Sequence, residues 1–151
     1  MGIMKTIIFR LNEQSFGIDV QQILSIERVQ AITPIPKAPV FIKGLINLRD
    51  ANIPIIDLKE RLMMAQSNHS SDNRILIVSL NDRQVGFMVD AATDVVDIDD
   101  TMIELAPSFT GQIDNSFIQG VAKIEENLLI LLDLENILNM QETKVVENLT
   151  N

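Results

Sequence analysis

Over residues 5–11, KTIIFRL, apolar side chains fall on alternate positions at Ile7, Phe9 and Leu11, the period of a half-buried strand. Residues 12–15 turn the chain, and 16–20 bring it back as the second arm of a hairpin. From Val20 the spacing lengthens to Val20, Ile23 and Ile26, with Leu24 beside them, which predicts a short helix or helical turn over 20–27. Residues 33–39, TPIPKAP, hold three prolines, which remove backbone donors and keep the chain extended, so this stretch reads as a stiff edge segment or loop. Residues 41–62 predict two strands around a turn at 49–52, with Gly44 at a bulge or close contact and Pro54 in an edge strand or bulge. Asp57-Leu-Lys-Glu60 has the spacing of a capping box and predicts a short helix over 58–64. After a polar stretch come strands over 75–80, 85–89 and 94–98, with a turn at 81–83. Asp99, Asp100 and Thr101 then offer caps to a helical segment over 102–105 that Pro107 ends. The unbroken run LLILL at 128–132 is that of a strand covered on both faces, and a short helix follows over 136–142.

The pattern repeats. FIKGLINLRDANIPIIDLKERL, residues 41–62, recurs without a gap 76 positions later as FIQGVAKIEENLLILLDLENIL, residues 117–138. The copies share Phe41/Phe117, Ile42/Ile118, Gly44/Gly120, Asp57/Asp133, Leu58/Leu134 and Leu62/Leu138. Upstream, LNEQSFGIDV at 11–20 aligns with LNDRQVGFMV at 80–89, an offset of 69. The chain reads as one domain over 1–151 made of two copies of a β-rich unit, 5–64 and 75–140, with a polar linker at 65–74 and a tail at 141–151. Many short strands at regular spacing predict an all-β fold of two small barrels packed together; whether strands are exchanged between the barrels is left open.

Composition narrows the function. Cysteine is absent, which removes disulfides, thiolate catalysis and Cys-ligated metal sites and fits a reducing, cytoplasmic compartment. No apolar run approaches the ~20 residues of a membrane span, and the N-terminus lacks the features of a signal peptide. Twelve basic against twenty-one acidic side chains give a formal charge of −9, which opposes binding to nucleic acid or an anionic membrane. With 46% apolar residues, six Phe and neither Tyr nor Trp, aliphatic packing carries the fold, a composition closer to a scaffold than to an enzyme.

Candidate chemistry is sparse. Asp57 and Asp133 occupy equivalent positions of a duplicated β protein, resembling the paired carboxylates of aspartic proteases, and make a hydrolase the alternative reading. Neither is followed by the small residue and glycine that cradle such a carboxylate, and helix capping accounts for both. Asp97, Asp99, Asp100 and Glu104 form an acidic cluster, but a calcium loop begun at Asp97 would place Met102 at its glycine and Ser108 at its closing glutamate. His69, the one histidine, lies in the polar linker with no partner for a triad or metal pair. No cofactor or metal is implied.

The residues 32–62, ITPIPKAPVFIKGLINLRDANIPIIDLKERL, resemble the CheW family of bacterial chemotaxis adaptors: a proline-rich approach, Gly followed by Ile-Asn-Leu-Arg, then Ile-Pro-Ile-Ile-Asp-Leu. The likeness extends to Phe16-Gly-Ile-Asp-Val20, Gly86-Phe-Met-Val-Asp90 with Asp94-Val95, and 118–138. It implies a pair of five-stranded SH3-like barrels around a shared core. It also implies a non-catalytic coupler between the cytoplasmic tips of membrane chemoreceptor arrays and the regulatory domain of the histidine kinase CheA, monomeric when isolated. By the same resemblance, a receptor helical hairpin lies in a groove between the barrels, lined by Ile23, Ile26, Gly44 and Arg49, while a hydrophobic end of one barrel meets the kinase. Two positions depart from the family pattern: Asp50 stands where a Gly usually follows Asn-Leu-Arg, and Ser25 where a Glu commonly precedes Ile26. The related CheV proteins fuse such a domain to a receiver; with none before Asn151, the free adaptor is the expectation.

Overall fold

The computed structural model describes residues 2–62, 70–80, 82–104 and 115–137. Eleven strands among them are β1 (Ile3–Leu11), β2 (Gln14–Asp19), β3 (Ile23–Arg28), β4 (Ile42–Leu48), β5 (Ala51–Asp57), β6 (Arg74–Leu80), β7 (Arg83–Val89), β8 (Ala91–Asp99), β9 (Ile103–Glu104), β10 (Ile118–Ile124) and β11 (Asn127–Leu132). Two single-turn helices, α1 (Leu58–Arg61) and α2 (Leu134–Ile137), follow β5 and β11. The fold is all-β, as the alternation predicts.

The strands form two sheets, ordered β8-β1-β2-β11-β10-β9 and β3-β6-β7-β5-β4. Each is built around a hairpin, β1-β2 or β6-β7, joined in parallel to a second hairpin, β11-β10 or β5-β4. The sequence repeat is visible in the register: Gly17 faces Leu131 in one sheet and Gly86 faces Ile55 in the other. The outer strands keep the same correspondence, with Ile26 opposite Leu76 and Val95 opposite Ile7. Each sheet nevertheless draws on both halves of the chain. β3 leaves the hairpin that precedes it to pair with β6, and β8 leaves β7 to pair with β1. β9 has as its counterpart a lone bridge between Thr33 and Leu45, so one sheet has six strands and the other five.

Apolar runs on central strands make this architecture possible. Along β11, Ile130 and Leu132 enter a core shared by the two sheets, while Leu129 and Leu131 enter a core private to their own sheet with Ile98 and Ala122. β6 does the same: Leu76, Val78 and Leu80 face the shared core, Ile75 and Ile77 a second private core with Ile46, Ile53, Ile55 and Met88. Phe9 and Phe16 stack at 5.9 Å between centroids within the shared core. Fully burying one such side chain stabilises the fold by about 1.5–3 kcal/mol, so a core drawing on both sheets binds them into one unit.

Several local expectations are corrected. Residues 20–27 are a 3₁₀ turn, Val20–Gln22, followed by β3. The turn together with a register shift between Ile23 and Ser25 reproduces the three-residue spacing of a helix. Likewise the predicted helix over 102–105 is a 3₁₀ turn at Asp100–Met102 leading into β9. Pro54 lies in a strand flanked on both sides, not at an edge. It is tolerated because Leu45, opposite it, turns its N–H and C=O toward Thr33, so Pro54's missing donor points away from β4. On that other side pairing to β7 begins only at Ile55. Arg74, read as linker, opens β6, and Asn73 is buried. The rest of α1's expected extent past Leu62, half of the linker including His69, α2 past Ile137 and the tail at 141–151 lie outside the described residues.

Candidate partner-binding site

Ile23 and Ile26 sit on β3, an outer strand of the five-stranded sheet. Ile23 packs against the shared core, whereas Ile26 is 43% exposed. Leu24 and Val29 are also exposed, giving β3 and its exit an uncovered apolar stripe. The sequence does not single out Leu24, because it is the extra residue at the register shift between Ile23 and Ser25, a feature that no local spacing announces.

Gly44 and Arg49 belong to β4 and its turn, at the opposite edge of the same sheet. Gly44 is at φ 145°, and a Cβ there would lie 2.1 Å from the Thr33 carbonyl oxygen. Thr33 and Leu45 exchange backbone hydrogen bonds of 2.8 and 2.9 Å beside it, which is the close contact the glycine predicts. The turn is tighter than the four residues expected. Leu48 pairs with Ala51, leaving Arg49 and Asp50 as its two central residues at φ 51° and 67°. Both being left-handed, this is the primed hairpin turn in which glycine is favoured, so the Gly that the resemblance leads one to expect at position 50 would have a backbone reason. Arg49 is exposed and forms no ion pair among the described residues. Its counterpart Glu125 also has a positive φ, 55°, at the first central position of a two-residue turn, where the charge is opposite.

The four residues therefore share one sheet but divide between its two edges. Concavities of about 290, 360 and 530 Å³ are lined by other residues. The middle one holds a cluster the sequence did not reveal. Lys59 on α1 is buried, its Nζ 2.9 Å and 3.0 Å from the two Asp90 carboxylate oxygens and 3.2 Å from Asn12 Oδ1. Asp90 Oδ2 also accepts from the Asn12 N–H at 2.6 Å. Nearby on the same helix, the Arg61 guanidinium lies between Phe41 and Phe117, 5.0 and 4.8 Å from the ring centroids. Both are contacts between segments far apart in sequence, which no local pattern announces.

The carboxylates considered for chemistry are engaged in structure. Asp57, fully buried, accepts from the Glu60 N–H at 3.1 Å and caps α1. Its own N–H donates to Phe41 O at 2.7 Å, which leaves Glu60 nothing to reach back to; Glu60 instead pairs with Lys43 at 2.6 Å. Half of the capping box forms. Asp133 accepts from Glu135 N–H at 3.2 Å and Asn136 Nδ2 at 2.9 Å. In the acidic cluster, Asp99 accepts from Thr101 N–H and Oγ1, and Asp100 from Gly2 N–H.

The chemotaxis protein CheW of Klebsiella aerogenes is 35% identical over 144 residues, 94% of this chain and 86% of the relative. The chemotaxis protein CheW of Bacillus subtilis is 34% identical over 140 residues, 93% and 90% of the two chains. The crystal structure of the scaffolding protein TtCheW from Thermoanaerobacter tengcongensis superposes with a TM-score of 0.86 at 35% identity, covering 94% of this chain and 92% of that one. The CheW-like domain matches residues 5–142, and the chain belongs to that family.

Proposed function

We propose that this protein is a non-catalytic chemotaxis adaptor that couples chemoreceptor cytoplasmic tips to the regulatory domain of the histidine kinase CheA. The observation that carries the reading is likeness in sequence and fold over nearly the whole length to proteins named as chemotaxis CheW, one of them a scaffold. The engagement of Asp57 and Asp133 as helix caps supports the absence of catalysis. Recruitment to membrane receptor arrays would come through partners, since no described helix is long and apolar enough to cross a membrane. On this reading Ile26 and Arg49 touch the receptor's helices, the first as an apolar contact and the second as a charged anchor. Ile23 and Gly44 hold β3 and β4 in place beneath them.

Arg49→Glu tests the assignment. The structure gives the guanidinium no internal partner among the described residues, so the melting temperature should stay within a few degrees, as a change of about 1 kcal/mol or less implies at this size. Losing a charge at an interface costs about 2–5 kcal/mol of binding, so receptor-tip affinity and receptor-dependent kinase activation should both collapse. Unchanged affinity, or an unfolded variant, rejects Arg49 as the anchor; failure of the native chain to co-purify with receptor tip and CheA rejects the adaptor reading.

A further inference from the structure

The chain crosses between the sheets at two equivalent places, and the repeat makes them comparable residue by residue. One crossover runs from β7 to β8 through Asp90; the other runs from β2 to β3 through Val20–Gln22. At the offsets of the repeat, Asp90 corresponds to Gln21 and Lys59 to Glu135. The first crossover is tied down by the Lys59–Asp90 ion pair, by Asn12, and by Asp90 N–H donating to Arg10 O at 3.0 Å. The second has lost both charges of that pair. Glu135 and Gln21 line the 290 Å³ concavity together with Asp19 and Asp133, and no basic residue lines it. A further concavity of 530 Å³ opens beside Asp19 and Gln21 next to Asp100. The turn is held by Asp19 Oδ1 accepting from Gln21 N–H at 2.9 Å and by Ile23 N–H donating to Val20 O. Both bonds are internal to the segment, so neither fixes the turn to the opposite sheet.

We propose that the Val20–Gln22 crossover is a compliant joint between the two sheets, that the Asp90 crossover is the fixed one, and that a partner seated on β3 acts through the joint. Ile23 is the mechanical link, for it both closes the 3₁₀ turn and begins β3. Asymmetry of this kind lets one edge of the five-stranded sheet adjust to a helical partner while the shared core stays intact.

Residue-resolved amide exchange on the free full-length chain tests the joint. Ile23 should be less protected than Asp90 by on the order of tenfold, each hydrogen bond reporting the opening of its own crossover. The double variant Gln21→Asp with Glu135→Lys restores the missing pair at two exposed positions, and should raise Ile23 protection roughly two- to fivefold, as much as an exposed ion pair supplies. Equal protection at the two crossovers overturns the proposal, as does a double variant in which the pair titrates as formed and Ile23 exchanges unchanged. The coupling to a partner rests on the adaptor reading: receptor-tip fragment should protect Gln21 and Ile23 more than Asp90. Binding without that gain overturns the coupling, whereas absence of binding strikes the adaptor reading and leaves the exchange comparison to decide the joint.

Discussion

Gly44→Ala should destabilise the protein far more than Gly120→Ala, although the repeat makes the two positions equivalent. At Gly44 the added Cβ meets backbone: the Thr33 oxygen at 2.1 Å, its carbonyl carbon at 2.7 Å, and Ile32 Cγ2 at 2.8 Å, with φ at 145°. A non-glycine residue held in such a region costs about 1–3 kcal/mol. Relieving the overlap requires Thr33 to withdraw, breaking its two hydrogen bonds to Leu45, at about 0.5–1.5 kcal/mol net each. The sum centres near 4 kcal/mol, or roughly 8–16 °C in melting temperature for a chain of this size. At Gly120 the new atom meets Ile103 Cγ2 at 2.8 Å and Glu104 O at 2.9 Å, without a positive φ, and a small shift of the two-residue β9 relieves it. About 1 kcal/mol is expected there, since overpacking is partly offset by the lower entropy of the unfolded Ala chain. Urea unfolding of both variants gives the comparison. Costs within 1 kcal/mol of each other would refute the reasoning; a stable Gly44→Ala that fails only in receptor binding would make the glycine a direct contact instead of a support.

Lys59→Met leaves the Asp90 carboxylate without its cation in a site where Asp90 is about one-quarter exposed, and should cost about 2–4 kcal/mol, less than a fully buried pair. Adding Asp90→Asn should recover part of that, and a double-mutant cycle by urea unfolding in which the two changes are additive would exclude the pair as the tie. Asp50→Gly relieves a left-handed non-glycine residue in the β4–β5 turn and should stabilise by about 0.5–1 kcal/mol, read as a higher urea midpoint; a lower midpoint would contradict the turn assignment. Asp57→Ala should cost about 1–2 kcal/mol and Asp57→Asn less, because the amide oxygen can still accept from Glu60 N–H; thermal melts showing equal losses would mean that the carboxylate's charge matters beyond capping.

The sequence alone determined what local periodicity and turn chemistry encode. Alternation at Ile7, Phe9 and Leu11, the unbroken run at 128–132, the Asp57 cap and the need for glycine at position 44 each follow from neighbours a few residues apart. The repeat also revealed the matched strands, since equal spacing of apolar positions survives the divergence of everything exposed. Of the candidate partner-binding residues, Arg49 could be singled out by its charge reversal at Glu125, because a backbone turn is indifferent to that sign. Only the tertiary structure decided which strands share a sheet. β3 pairs with β6 and β8 with β1, each in the other half of the chain, and local periodicity carries no information on which distant strand offers the edge. The same holds for Ile23 and Ile26, whose helical spacing gives way to a strand because pairing with β6 satisfies their backbone and lets Ile23 reach the shared core. Lys59 was invisible for a related reason: a lysine in a short polar stretch reads as solvated until Asp90 and Asn12, 31 and 47 residues away in sequence, are folded against it.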